Sequence, residues 1–225
     1  MKKQITTSPL AWLGLSLVFL LGLPQLNAQT IEYGARAGVN FAYLFGDTYS
    51  GLGIKPGIVL GGFARSQFND QVSLQVGAYL SQEGARNPNF DFSDFSTVIY
   101  DQRLQYIYLQ IPLLVRYHYT EKLNFHGGMQ MGLRLLAQEK RRIVSGMPSI
   151  TDNSEGIRKQ HHRVKLFYPS FVVGAGYELT DQISAQARFI FSFFDNIKRN
   201  AGDSEGTYPL ILQLSVSYAL GELDL

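Results

Sequence analysis

Eight charged residues stand on the polar register of segments that alternate with a period of two: Glu32, Arg36, Arg65, Glu83, Arg116, Arg134, Glu178 and Arg188. In an extended chain that period gathers them on one face. Five arginines and three glutamates sharing an enclosed interior must pair, because a lone buried charge is very costly. Two chemistries fit such a set. One is a structural plug of ion pairs, with Arg116, Arg134 and Arg188 held by Glu32, Glu83 and Glu178. The other is a narrow conduit whose arginine excess attracts anions. His126 shares the register, opposite Arg116 and near His118. Hydrolysis would need a nucleophile beside that base and an acid to orient it. No such constellation is visible, and His126 reads as a hydrogen-bonded filler. A second basic group is Lys140, Arg141 and Arg142, followed by Arg158, Lys159 and Arg163 around His161-His162. Adjacent histidines with nothing to orient them make a poor metal site. Gly174-Ala175-Gly176 lies inside an alternating run and reads as strand glycines, not a phosphate loop. No cofactor and no metal are expected.

The elements that would position these residues are strands. In Leu104 to Tyr119, every second residue from Leu109 is apolar or aromatic: Leu109, Ile111, Leu113, Val115, Tyr117, Tyr119. The other register holds Tyr108, Gln110, Pro112, Leu114, Arg116 and His118. The two faces meet different media. Seven more runs alternate in the same way: Ile31 to Tyr43, Ile58 to Phe68, Val72 to Glu83, Leu123 to Leu135, Pro169 to Leu179, Ile183 to Phe193 and Tyr208 to Leu220. Glycines on the polar register, such as Gly132 and Gly174, are expected to make room for long side chains.

Three connections are very short and alike: Asn69-Asp70-Gln71, Thr120-Glu121-Lys122 and Thr180-Asp181-Gln182. They form a weak internal repeat of strand, tight turn and strand. Four others, at about 45–56, 84–103, 136–163 and 196–207, are long and polar. Strict alternation of short and long connections predicts an all-β, eight-stranded antiparallel up-and-down transmembrane β-barrel. Its tight turns would be periplasmic and its long loops extracellular. An even strand number closes without an open edge, as lipid demands.

Composition agrees. The 225 residues carry a net charge of +2, with 22 Gly, 13 Tyr and 15 Phe. Mean hydropathy is −0.04, as a polar lumen face would dilute an apolar exterior. Zero cysteines exclude disulfide and thiol chemistry. The small net charge argues against a nucleic-acid partner. Residues 1–28 read as a cleavable signal peptide: Lys2 and Lys3, an apolar run from Leu10 to Leu23, and Leu26-Asn27-Ala28 before Gln29. Residues 29–225 are then the barrel domain.

At Tyr108-Leu109-Gln110-Ile111-Pro112-Leu113-Leu114-Val115-Arg116-Tyr117 the chain resembles the PorT-like outer-membrane β-barrel proteins of Bacteroidetes. The segments GARAGVNFA (34–42), GGMQMGLRL (127–135) and VVGAGYEL (172–179) fit as well. The resemblance covers essentially residues 29–225. It implies a bacterial outer-membrane address and a structural or protein-secretion-associated role without enzymatic activity. One departure is the C-terminus, where Tyr218 is the last aromatic residue and the chain ends on Leu225. Membrane lipid and lipopolysaccharide are the expected partners, the latter at the basic loop of Lys140, Arg141, Arg142, Arg158, Lys159 and Arg163. Secretion-machinery proteins are further possible partners, and a monomer is expected. The rival roles are a small anion-selective pore and an outer-membrane lipid-modifying enzyme.

Overall fold

The structure is a computed structural model and describes residues 30–45, 53–91, 99–145, 156–159, 165–193 and 208–224. Nine strands are present: β1 (Thr30–Phe45), β2 (Lys55–Gln67), β3 (Val72–Asp91), β4 (Ile99–His118), β5 (Leu123–Ser145), β6 (Gly156–Lys159), β7 (Phe167–Glu178), β8 (Ile183–Phe191) and β9 (Tyr208–Asp224). All pairings are antiparallel. Eight of the strands close a ring, β1-β2-β3-β4-β5-β7-β8-β9, in which β9 returns to pair with β1. Closure satisfies every ladder within the lipid-facing wall, where no water could do so.

The two registers separate as the alternation predicts. Ile58, Leu60, Leu113, Val115, Met129, Val173, Phe189 and Val216 are exposed on the outside. Arg36, Gln75, Gln110, Arg116, Arg188 and Gln213 are fully buried inside. This is the inverse of a soluble core, and it is the arrangement that lipid outside and side chains inside require.

The tight turns share one device. Asn69 Oδ1 accepts from the amides of Gln71 (2.9 Å) and Val72 (2.8 Å). Thr120 Oγ1 accepts from those of Lys122 (3.3 Å) and Leu123 (2.9 Å). Thr180 Oγ1 accepts from those of Gln182 (3.3 Å) and Ile183 (3.0 Å). Short Asn and Thr side chains supply the acceptor that a three-residue reversal lacks. All three turns, and the Thr30 and Asp224 ends of the wall, lie at one rim.

The opposite rim departs from expectation. Connections at 84–103 and 136–163 were expected, yet β3 and β4 run 20 residues each and β5 runs 23. A membrane strand needs only about 9–11. The excess continues as paired ribbon beyond the lipid, into segments that the sequence reads as loops. β6, which the alternation did not reveal, pairs with the far end of β5 through Gln138↔Lys159 and Arg141↔Gly156. Polar and charged residues interrupt the alternation there, but ladder hydrogen bonds persist. A register shift between Ile107 and Tyr108 opposite β5 marks where the wall becomes the ribbon. Gly84, at φ 138°, sits nearby with its Cα facing the Leu104 carbonyl, where a Cβ would come within 2.0 Å.

Candidate functional site

The site is the barrel interior, which has three levels. At the mouth beside the tight turns, Arg65 pairs with Glu32 and Arg116 with Glu178, each at 3.1 Å. Arg116 also donates to Gln75 Oε1 at 2.8 Å, and Asn124 donates to Glu178 at 3.2 Å. A cleft of about 770 Å³ opens below, lined in part by Arg65, His118, Lys122 and Glu178.

One level further in, Arg188 donates through Nε to His126 Nε2 (3.1 Å) and through Nη2 to Gln186 (3.0 Å). Arginine only donates, so His126 Nε2 accepts and the imidazole proton sits on Nδ1, facing Asn124 Oδ1 at 3.4 Å. Its one lone pair is thereby occupied, which leaves no free base. Gly174 provides the space: a Cβ there would lie 2.7 Å from His126 Nε2 and 3.0 Å from Arg188 Cγ. Arg36 donates through Nε to Ser217 Oγ at 2.8 Å, and its guanidinium lies 5.1 Å from the Tyr79 ring and 5.6 Å from that of Phe63.

The upper level is organised by Glu83. Its carboxylate accepts from Ser81 (3.0 Å), Tyr168 (2.8 Å) and Gln110. Lys55 Nζ reaches the Glu83 carbonyl at 3.1 Å. A chain of hydrogen bonds leads there from Gln213 through Asn40 (2.9 Å) to Ser81 (2.7 Å). Tyr106, Tyr108, Tyr168, Leu104, Ala85 and Ala137 pack over it as a buried cluster. Tyr108 and Tyr168 meet edge to face at 4.7 Å. Gly132 makes room for Tyr168, whose ring a Cβ would approach to 2.3 Å.

These contacts alter the expected pairing. Arg188 has no carboxylate among the described residues, and Glu83 is held by neutral donors instead of an arginine. Glu83 stands twelve positions from the tight turn at Gln71, whereas Arg188 stands six from Gln182. Strand geometry therefore places them on different levels. Arg134 faces inward opposite Tyr108 and is half-buried. Of the loop cations, Lys140 is exposed near the end of β5. Arg141 and Arg142 continue β5 and Arg158 and Lys159 form β6, with only their backbone described; Arg163 and His161-His162 lie outside the described residues. So do residues 1–28 and the connection 196–207, apart from the strands that flank it. Among the described residues no three metal-ligating side chains cluster. Tyr79, Tyr168, Lys55, Asn40 and Gln213 were missed as members of the network. All five stand on the inward register beside the charges, and polarity on that register was the available signal.

A family model described as outer membrane protein beta-barrel domain matches residues 27–198. The chain belongs to this family. It is accordingly an integral β-barrel protein of the bacterial outer membrane, which agrees with the closed ring and its apolar exterior. A comparison with curated proteins finds no match. Similar solved structures include Ail, the attachment invasion locus protein of Yersinia pestis, at 14% identity and a TM-score of 0.47 over 83% of this chain and 97% of that one. Neisserial surface protein A is similar at 11% identity and 0.49, over 84% and 97%. Escherichia coli outer membrane protein W is similar at 12% and 0.38, over 88% and 100%. None of these scores reaches 0.5, and the assignment rests on the family match and the ring itself.

Proposed function

We propose that this protein is a closed, non-enzymatic barrel that acts as a monomer in a structural or protein-secretion-associated role, as its similarity to PorT-like proteins of Bacteroidetes suggests. The observation that carries this reading is the upper lumen. Tyr108, Tyr168, Gln110 and Gln213 are each under 2% exposed and gathered around Glu83, by direct hydrogen bonds, through Asn40 and Ser81, or by ring packing on Tyr168. An eight-stranded lumen is only wide enough for its own side chains, and this one is filled by aromatic rings. Purified protein in a planar bilayer should show no steady conductance, and cross-linking in native outer membranes should trap secretion-machinery proteins. A stable open level with anion preference would promote the pore; altered lipid A masses in cells carrying the protein would promote the lipid-modifying enzyme.

A specific observation also favours lipopolysaccharide at the extracellular rim. Arg86, Arg103 and Lys140 stand opposite one another across β3, β4 and β5, and all three are exposed. Exposed cations gathered at this rim match the phosphates of an outer-leaflet glycolipid. Arg103→Glu should reduce the lipopolysaccharide that co-purifies with the barrel; an unchanged ratio would remove this reading and leave the first intact.

A further inference from the structure

We propose that the periplasmic half of the lumen holds a small monovalent inorganic anion of the chloride class, bound by the guanidinium Nη1 and Nη2 of Arg36. Four arginines face this compartment, Arg36, Arg65, Arg116 and Arg188, against two carboxylates, Glu32 and Glu178. Both carboxylates are engaged at the mouth, Glu32 by Arg65 and Glu178 by Arg116 and Asn124. His126 and His118 supply no negative charge. Arg36 and Arg188, each 1% exposed, are thus two cations that pair with no carboxylate among the described residues.

Arg36 is the sharper case. Its Nε is taken by Ser217, while Nη1 and Nη2 are buried with no hydrogen-bond partner. Aromatic faces at Phe63 and Tyr79 stabilise the cation but accept no N–H bond in its plane. Arginine does not escape by losing its proton, and a buried cation needs compensation from somewhere. Tyr79 ties the two arginines together: its ring lies against Arg36, and its side chain also faces Arg188. Nη1 and Nη2 of Arg36 are therefore donors with no carboxylate among the described residues to satisfy them, whereas Arg188 spends Nε on His126 and Nη2 on Gln186. A compact monovalent anion suits the tight space between long side chains. The site does not depend on the role proposed above, since a closed barrel can hold an ion without conducting one.

The test uses the full mature barrel in detergent micelles, with sodium bromide as the probe and bromine-81 NMR linewidth as the readout. Sodium gluconate keeps ionic strength constant. Wild-type protein should broaden the bromide line saturably, and chloride should reverse the broadening. Arg36→Met keeps the volume and removes the charge. It should weaken apparent affinity by about tenfold to a hundredfold, the scale of one charge-assisted contact. Heat-resistant migration on a gel checks that the variant is folded. Arg103→Glu, at the exposed rim, should leave bromide binding unchanged. If Arg36→Met does not fold, anomalous scattering from bromide-soaked wild-type crystals decides, with a peak expected beside Nη1 and Nη2 of Arg36. Equal broadening in wild type and folded Arg36→Met, the absence of saturable broadening, or the absence of that peak would overturn the site.

Discussion

Arg116 shows how burial sets the weight of a charge. It is fully buried, with Gln75 on one side and Glu178 on the other. Arg65 makes a pair of the same length with Glu32, but both partners are partly exposed, at 10% and 26%. Removing one member of a buried pair costs roughly 3–5 kcal/mol, because the other charge is left unpaired. Glu178 is 23% exposed and keeps Asn124, so water takes up part of that loss. Arg116→Ala should therefore destabilise the folded barrel by about 2–4 kcal/mol, and Arg65→Ala by about 1 kcal/mol or less. Urea unfolding of the two variants side by side checks the order. Equal losses would mean that the mouth is wetter than the geometry implies.

At the scale of the strand, depth in the membrane decides what the outer face tolerates. Leu113 on β4 lies opposite Val76 and Met129, seven positions from the Thr120 turn, and its side chain is exposed outward. Leu220 on β9 is equally outward but stands near the periplasmic end of the wall. Arginine on the lipid face costs about 2–4 kcal/mol at the midplane and falls to about 0–1 kcal/mol near the interface. Leu113→Arg should therefore impair heat-resistant folded migration far more than Leu220→Arg. Similar behaviour of the two would place the hydrocarbon belt elsewhere along the strands.

The whole molecule is asymmetric along its axis. One rim is three capped turns and the two chain ends of the ring; the other is ribbon extended by β3, β4, β5 and β6. Cations gather at the ribbon, with Arg86, Arg103 and Lys140 exposed, while Asp70, Glu121 and Asp181 mark the turns. Insertion with the short turns inward places the ribbon outside the cell. Trypsin added to intact cells should cut near Arg141 or Arg158 and spare the bond after Lys122. Cleavage at Lys122 in whole cells would reverse the orientation.

Alternation alone determined the wall of this protein. A period of two states which residues face lipid, and tight turns with a repeated Asn or Thr cap fix the neighbours, so eight strands and a closed ring were legible in the chain. So was the inward face of each charge, because a side chain's direction follows from its place in the strand. Partner choice was not. Whether Glu178 meets Arg116, or Glu83 meets Tyr168 instead of an arginine, depends on the stagger between strands that are distant in sequence. Arg116 and Glu178 are 62 positions apart and Tyr168 and Glu83 are 85 apart. The ribbon beyond the membrane also came only from the tertiary structure. Polar and charged residues interrupt the hydrophobic pattern there, and the pairing of one strand with the next holds the chain extended.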